Sequence, residues 1–181
     1  MDLAIKLLLH EGILENSKFF IFRIGLKIVV YLKRFSETIF KNLQQEDISF
    51  LLELPYTITL PDLKWTLVHA GLQPEKPLSD QEPDHMVRMR NIAEDGTPTH
   101  LRDVGTAWVD KWAEAGRFRV IFGHDAMRRL QQGPNYLGLD TGLVYGNKLT
   151  ALIREPNGHE RLVTVDAKKP YEKVKGPIIN R

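Results

Sequence analysis

The chain has 181 residues, 43% of them hydrophobic and 27% charged, with no cysteine and a formal net charge of +2. That length supports one sizeable core in a single globular domain, and the absence of cysteine excludes disulfides, thiolate metal sites and cysteine nucleophiles. So small a positive charge argues against a nucleic-acid partner.

The charge is unevenly spread. Residues 1–45 carry seven Lys/Arg against four Asp/Glu, residues 46–166 thirteen against eighteen, and residues 167–181 five against one. An acidic body between basic ends indicates ends built differently from the body, and suits a metal-binding domain better than a DNA-binding one.

In chain order, the first feature is the apolar run FFIFRIGLKIVVYLKRF, Phe19 to Phe35. Arg23 and Lys27 interrupt it, so no uncharged stretch approaches the ~20 residues of a transmembrane helix. Its expected role is a core-packing helix or strand pair, the alternative being a helix lying on an anionic membrane surface with Arg23, Lys27 and Arg34 on one stripe. No basic n-region or small-residue cleavage pattern precedes it, so no secretory signal is expected. A cytoplasmic location fits that reading and the missing cysteines.

QQEDISFLLEL, residues 44–54, predicts a short amphipathic helix. YTITLPDLKWTLVHAG then predicts a hairpin, with a turn at Pro61–Asp62 and a buried strand ending at His69. Gln73 to Asp103 is a polar excursion with a helical piece near PDHMVRMRNI, of a length that often carries function. TAWVDKWAEAG predicts a helix with Thr106 as N-cap and Gly116 as stop. RVIFG, NYLGLDTG, KLTALIRE and ERLVTVD read as strands, with Asn157-Gly158 turning the last pair. Residues 167–181 read as a loosely held basic tail. Strand, loop, helix and strand followed by a meander predict an α/β (α+β) sandwich with mixed sheets flanked by helices.

Two strands end in a histidine beside glycine: TLVHAGL gives His69, and RVIFGHD gives His124. One such histidine is commonly structural, whereas two matched ones suggest a site at one sheet edge. LVHAGL, MRNIAEDGTP, VIFGHDAMRRLQQ and YLGLDTGLVYGNKLTAL, in this order, resemble the C-terminal half of a calcineurin-like metallophosphoesterase. The similarity is to the branch of phosphoprotein phosphatases and symmetrical diadenosine-tetraphosphatase-like enzymes, over residues 44–166.

That resemblance implies a partial metallophosphoesterase fold with divalent metal (Mn, Fe or Zn) held at strand tips, and it implies His69 and His124 as ligands of the second metal. Neutral imidazole is a good donor to such ions, and a strand end fixes its direction. The small Ala70, Gly71 and Gly123 are expected to let metal and phosphate approach the backbone. Arg90 resembles the family arginine that grips substrate phosphate, a bidentate task suited to guanidinium; its other reading is a solvated charge beside Arg88. Asp125 stands where many phosphoesterases have a further histidine. Asp140 and Gly142 are expected to shape a turn, and Tyr145 to line the site.

The family's Asp-x-His, Gly-Asp and Gly-Asn-His motifs do not occur in residues 1–65. His10 and Asn42 lack the neighbours those motifs require, and NGHE, Asn157 to Glu160, sits in the final turn instead. Residues 1–43 therefore read as a replacement for the catalytic half, as a truncated product would have. The expectation is a phosphoesterase-family hydrolase, acting on a phosphorylated small molecule or phosphoprotein, that is catalytically impaired as written. The alternative is a non-catalytic phosphate- or partner-binding fragment.

Overall fold

The computed structural model describes residues 43–115 and 118–173. The apolar run at Phe19–Phe35, the expected helix stop at Gly116 and residues 174–181 lie outside them. Among the described residues no helix is long and apolar enough to cross a membrane.

Helix α1 (Gln45–Glu53) begins where predicted, with the Asp47 carboxylate accepting from the Gln44 backbone N–H at 2.9 Å. Strands β1 (Thr57–Leu60) and β2 (Trp65–Val68) form the expected antiparallel hairpin, Thr57 opposite Val68 and Leu60 opposite Trp65. Its turn is a single 3-10 turn at Pro61–Leu63, closed by Lys64 in the left-handed region. Proline at the first position of that turn supplies a preset φ and gives up no needed donor.

The polar excursion holds α2 (Pro83–Arg88) and a small sheet in the order β4 (Pro98–Thr99), β3 (Asn91–Ile92), β5 (Thr106–Ala107). Two-residue strands carry no readable periodicity, which is why the sequence gives no hint of this sheet. It also overturns the N-cap reading of Thr106. That residue pairs with Ile92 in β5, and helix α3 (Trp108–Ala115) starts two residues later, so its backbone completes a strand ladder.

Strand β6 (Arg119–Phe122) pairs in parallel with β2 and with β8 (Tyr136–Gly138). β7 (Gln131–Gly133) folds back on β8 through Pro134-Asn135, another short strand that sequence periodicity passes over. The result is a mixed five-stranded sheet in the order β1-β2-β6-β8-β7. β9 (Lys148–Arg154) and β10 (Glu160–Asp166) form a separate antiparallel hairpin around the Asn157-Gly158 turn.

Alternation along the central strands sorts the core into two layers. Val68, Val120 and Phe122 pack with Trp108, Trp112 and the small sheet. Trp65, Leu67, Ile121 and Leu137 pack with Leu152 and Leu162 of the β9–β10 hairpin. The architecture is thus the expected α+β sandwich with mixed sheets, helix on one face and hairpin on the other. Edge-to-face rings stiffen the helical layer, with Trp108 and Phe122 centroids 4.9 Å apart and Trp108 and Trp112 5.8 Å apart.

The tail is not loose over its described part. Ala167 N–H donates to Asn147 O at 2.6 Å, and the N–H groups of Tyr171 and Glu172 both donate to Val144 O, at 2.8 and 2.9 Å. Backbone hydrogen bonds to a distant loop are invisible to composition, which was the basis for expecting a tail.

Candidate functional site

Because β2 and β6 are adjacent and parallel, their C-terminal ends leave the sheet on the same side. Ligands in α/β sheets bind outside such carboxyl ends. β2 delivers His69 and β6 delivers Gly123-His124, and the Gly123 N–H donates to His69 O at 2.9 Å, extending the ladder past the strands. His69 Nε2 and His124 Nδ1 lie 3.2 Å apart, with ring centroids 5.0 Å apart.

The tautomers follow from the partners. His124 Nε2 faces the Arg88 carbonyl at 3.1 Å, and a carbonyl only accepts, so Nε2 carries the proton and Nδ1 keeps its lone pair. His69 Nε2–H donates to that lone pair in this arrangement; for both facing nitrogens to ligate one ion, the His69 proton must sit on Nδ1 instead. Burial pushes the His124 pKa well below that of free histidine, helped by the positive charge of Arg90 and by His69. A neutral imidazole is the protonation state that can ligate a metal. His124 also holds a left-handed backbone, φ 67°, an uncommon conformation for a side chain with Cβ and of the kind that concentrates at functional sites.

Behind His124 lies a buried charged bracket. Arg128 pairs with the Asp125 carboxylate and donates to Asn91 Oδ1 at 2.6 Å. Asn91 Nδ2 in turn donates to the carbonyls of Arg102 and Val104, at 3.1 and 2.8 Å. The bracket ties the 124–128 turn to the small sheet and to the loop after it. Sequence reasoning assigned no role to Asn91 or Arg128, because bracket partners 37 residues apart leave no local pattern.

Arg90 sits beside the bracket, its Nε 3.8 Å from Asp125 Oδ1 and its Nη1 donating to His100 O at 3.0 Å. It is close enough to His124 and Asp140 for its charge to bear on both. It is therefore anchored, and the reading of Arg90 as a solvated surface charge does not hold. Arg88 instead pairs with Asp84 one helical turn away.

A cleft of about 230 Å³ opens at the histidine pair, with His69, Gly123, His124, Asp140 and Lys148 among its lining residues. Tyr145 is also among the residues that line this cleft. Asp140 does shape its turn, accepting from the Gly142 N–H at 3.1 Å, but it also faces the cleft. Burial raises its pKa above that of a free aspartate, against the pull of that hydrogen bond.

The glycines divide the labour differently from expectation. A Cβ on Gly71 would stand 2.7 Å from the Trp108 indole and 2.9 Å from Met89, so Gly71 makes room for the core. Ala70 is likewise buried. Gly123, where a Cβ would meet only ordinary contacts at 3.7 and 3.8 Å, is the one that faces the cleft.

Two nitrogens sharing one ion at about 2.0–2.1 Å, at a near-tetrahedral angle, stand about 3.2–3.4 Å apart. The His69–His124 spacing fits one edge of such a coordination sphere. Among the described residues, no group of three or more His, Cys, Asp and Glu is arranged to hold an ion, so the pair supplies two donors where stable sites use three or four.

No protein-family model matches the chain, and no curated protein matches it. Among solved structures it is similar to one described as "a putative diadenosine tetraphosphatase", with 33% sequence identity and a TM-score of 0.64 over 78% of this chain. The fold is phosphoesterase-like. The match covers 63% of that protein's length, so this chain corresponds to part of it.

Proposed function

We propose that this chain carries part of a metal-dependent phosphoesterase site, of the phosphoprotein phosphatase or symmetrical diadenosine-tetraphosphatase type, with His69 and His124 as two ligands of one divalent ion. The observation that carries this reading is the pair of imidazole nitrogens 3.2 Å apart at the tips of adjacent parallel strands. The likeness to a structure described as "a putative diadenosine tetraphosphatase" supports a hydrolase acting on phosphate esters or anhydrides.

A divalent ion held by His69 and His124 would supply Lewis-acid polarisation of a phosphoryl oxygen and an activated water. The chain's own residues do the rest. The Arg88 carbonyl fixes the His124 ring, and Gly123 leaves the approach to it open. Arg90, held by Asp125 and the His100 carbonyl, does not line the cleft itself, but its positive charge reaches His124 and Asp140 and would favour a phosphate beside them. Among the described residues the two histidines have no third His, Cys, Asp or Glu donor grouped with them, and the family's Asp-x-His, Gly-Asp and Gly-Asn-His motifs do not occur in residues 1–65. This part of the site is therefore expected to bind an ion weakly and to work without the family's leaving-group acid. Loss of general acid catalysis alone costs about 10²–10⁴-fold.

Calorimetry with Mn²⁺ and Zn²⁺ tests the assignment, alongside turnover of p-nitrophenyl phosphate and a dinucleoside tetraphosphate. The expected result is weak binding of one ion, lost in His124→Ala, with turnover near background. Equal binding by the wild type and His124→Ala would remove the histidine pair from the site. Tight binding of two ions with metal-dependent turnover would overturn the impaired reading.

A further inference from the structure

The cleft that holds the histidines is also lined by Leu143, Val144, Tyr145 and Leu149, an apolar stretch of wall. None of the four belongs to either core cluster, and Leu149 is 39% exposed. Their apolar surface is therefore presented to the cleft. The wall is also held in place. Its 3-10 turn, Leu143–Tyr145, is bounded by two left-handed glycines, Gly142 at φ 77° and Gly146 at φ 83°. The Val144 carbonyl at its centre accepts two N–H donors from Tyr171 and Glu172. Pro170 lies against Gly146 so closely that a Cβ there would stand 2.9 Å from its ring. A solvated surface turn requires none of these restraints, whereas a preorganised binding wall does.

We propose that this wall is a subsite for an apolar, single-ring-sized group carried on the phosphate that docks at His69 and His124, and that residues 167–172 are a strap positioning it. The proposal rests on the phosphate-binding reading above and adds the class of substituent. A cleft of about 230 Å³ is smaller than the ~300–1,000 Å³ of drug-sized sites. It suits a small phosphorylated molecule with one ring near the phosphorus. Lys148, which also lines the cleft and stands 3.7 Å from Asp166, adds positive charge beside the apolar residues.

The test compares methylphosphonate and phenylphosphonate, which share a charged head and differ in the apolar group, binding to the full chain in Mn²⁺ by calorimetry. Phenylphosphonate is expected to bind about tenfold tighter or better, the scale on which hydrophobic pockets discriminate. Leu149→Ser and Val144→Ser, both at incompletely buried positions, should bring the ratio near one and leave methylphosphonate affinity unchanged. A Tyr171→Pro, Glu172→Pro double variant, which removes both N–H donors to Val144, should lower the ratio at unchanged methylphosphonate affinity, with thermal unfolding confirming an intact core. A wild-type ratio near one with methylphosphonate bound would overturn the subsite alone. Binding of neither probe would overturn the phosphate site together with it. A ratio unmoved by the wall variants would displace the subsite from these residues, and one unmoved by the proline variant would remove the strap's role.

Discussion

Replacing Arg128 by alanine should be among the most damaging single changes available in the described fold. The Arg128 and Asp125 side chains are 4% and 6% exposed, so neither charge is relieved by water. Removing the guanidinium leaves the Asp125 carboxylate with Arg90 as its remaining cation, 3.8 Å away, and strips Asn91 Oδ1 of its donor. Breaking one side of a buried ion pair typically costs 3–5 kcal/mol, of which the orphaned amide oxygen accounts for about 1–3 kcal/mol. At about 2–4 °C per kcal/mol for a chain of this size, Tm should fall by about 6–20 °C. Urea unfolding should show a lower midpoint at unchanged m-value. The Asp125→Asn, Arg128→Met double variant should recover part of the loss, because it buries no unpaired charge. A loss below about 0.5 kcal/mol in Arg128→Ala, the range of ordinary surface substitutions, would refute the bracket as a structural element. So would a double variant less stable than the single one.

Gly71→Ala should cost about 1–3 kcal/mol by overpacking, since its Cβ would fall 2.7 Å from the Trp108 ring; a Trp108→Leu background should restore much of it, measured by thermal unfolding. Glu160 joins Arg119 at 2.5 Å and Arg154 at 2.8 Å, and both guanidinium groups lie over the Trp65 ring. Glu160→Ala should therefore loosen the hairpin from the sheet by about 1 kcal/mol, less in high salt, read from urea midpoints at two ionic strengths. The pKa of His124 is lowered in the fold by burial, by Arg90, by His69 and by Arg102. As pH falls the unfolded chain takes up that proton first, so stability should decline below about pH 6.5, and His124→Gln should flatten the decline in unfolding curves taken from pH 7.5 to 5.

The sequence by itself determined the long elements and the histidines. β1–β2, β6 and the β9–β10 hairpin follow from strand periodicity punctuated by proline, asparagine and glycine, and a histidine ending each of two buried strands pointed to one sheet edge. Those signals are local, written within a few residues of the structure they specify. Tertiary structure alone decided the rest. It placed Thr106 in a two-residue strand, gave Gly71 to Trp108, closed Asn91 and Arg128 into one bracket, and fastened residues 167–172 to the wall of the cleft. Each of these is a contact between segments far apart in the chain. Their energetics depend on burial and on which backbone groups remain to be paired, and no window of sequence contains either.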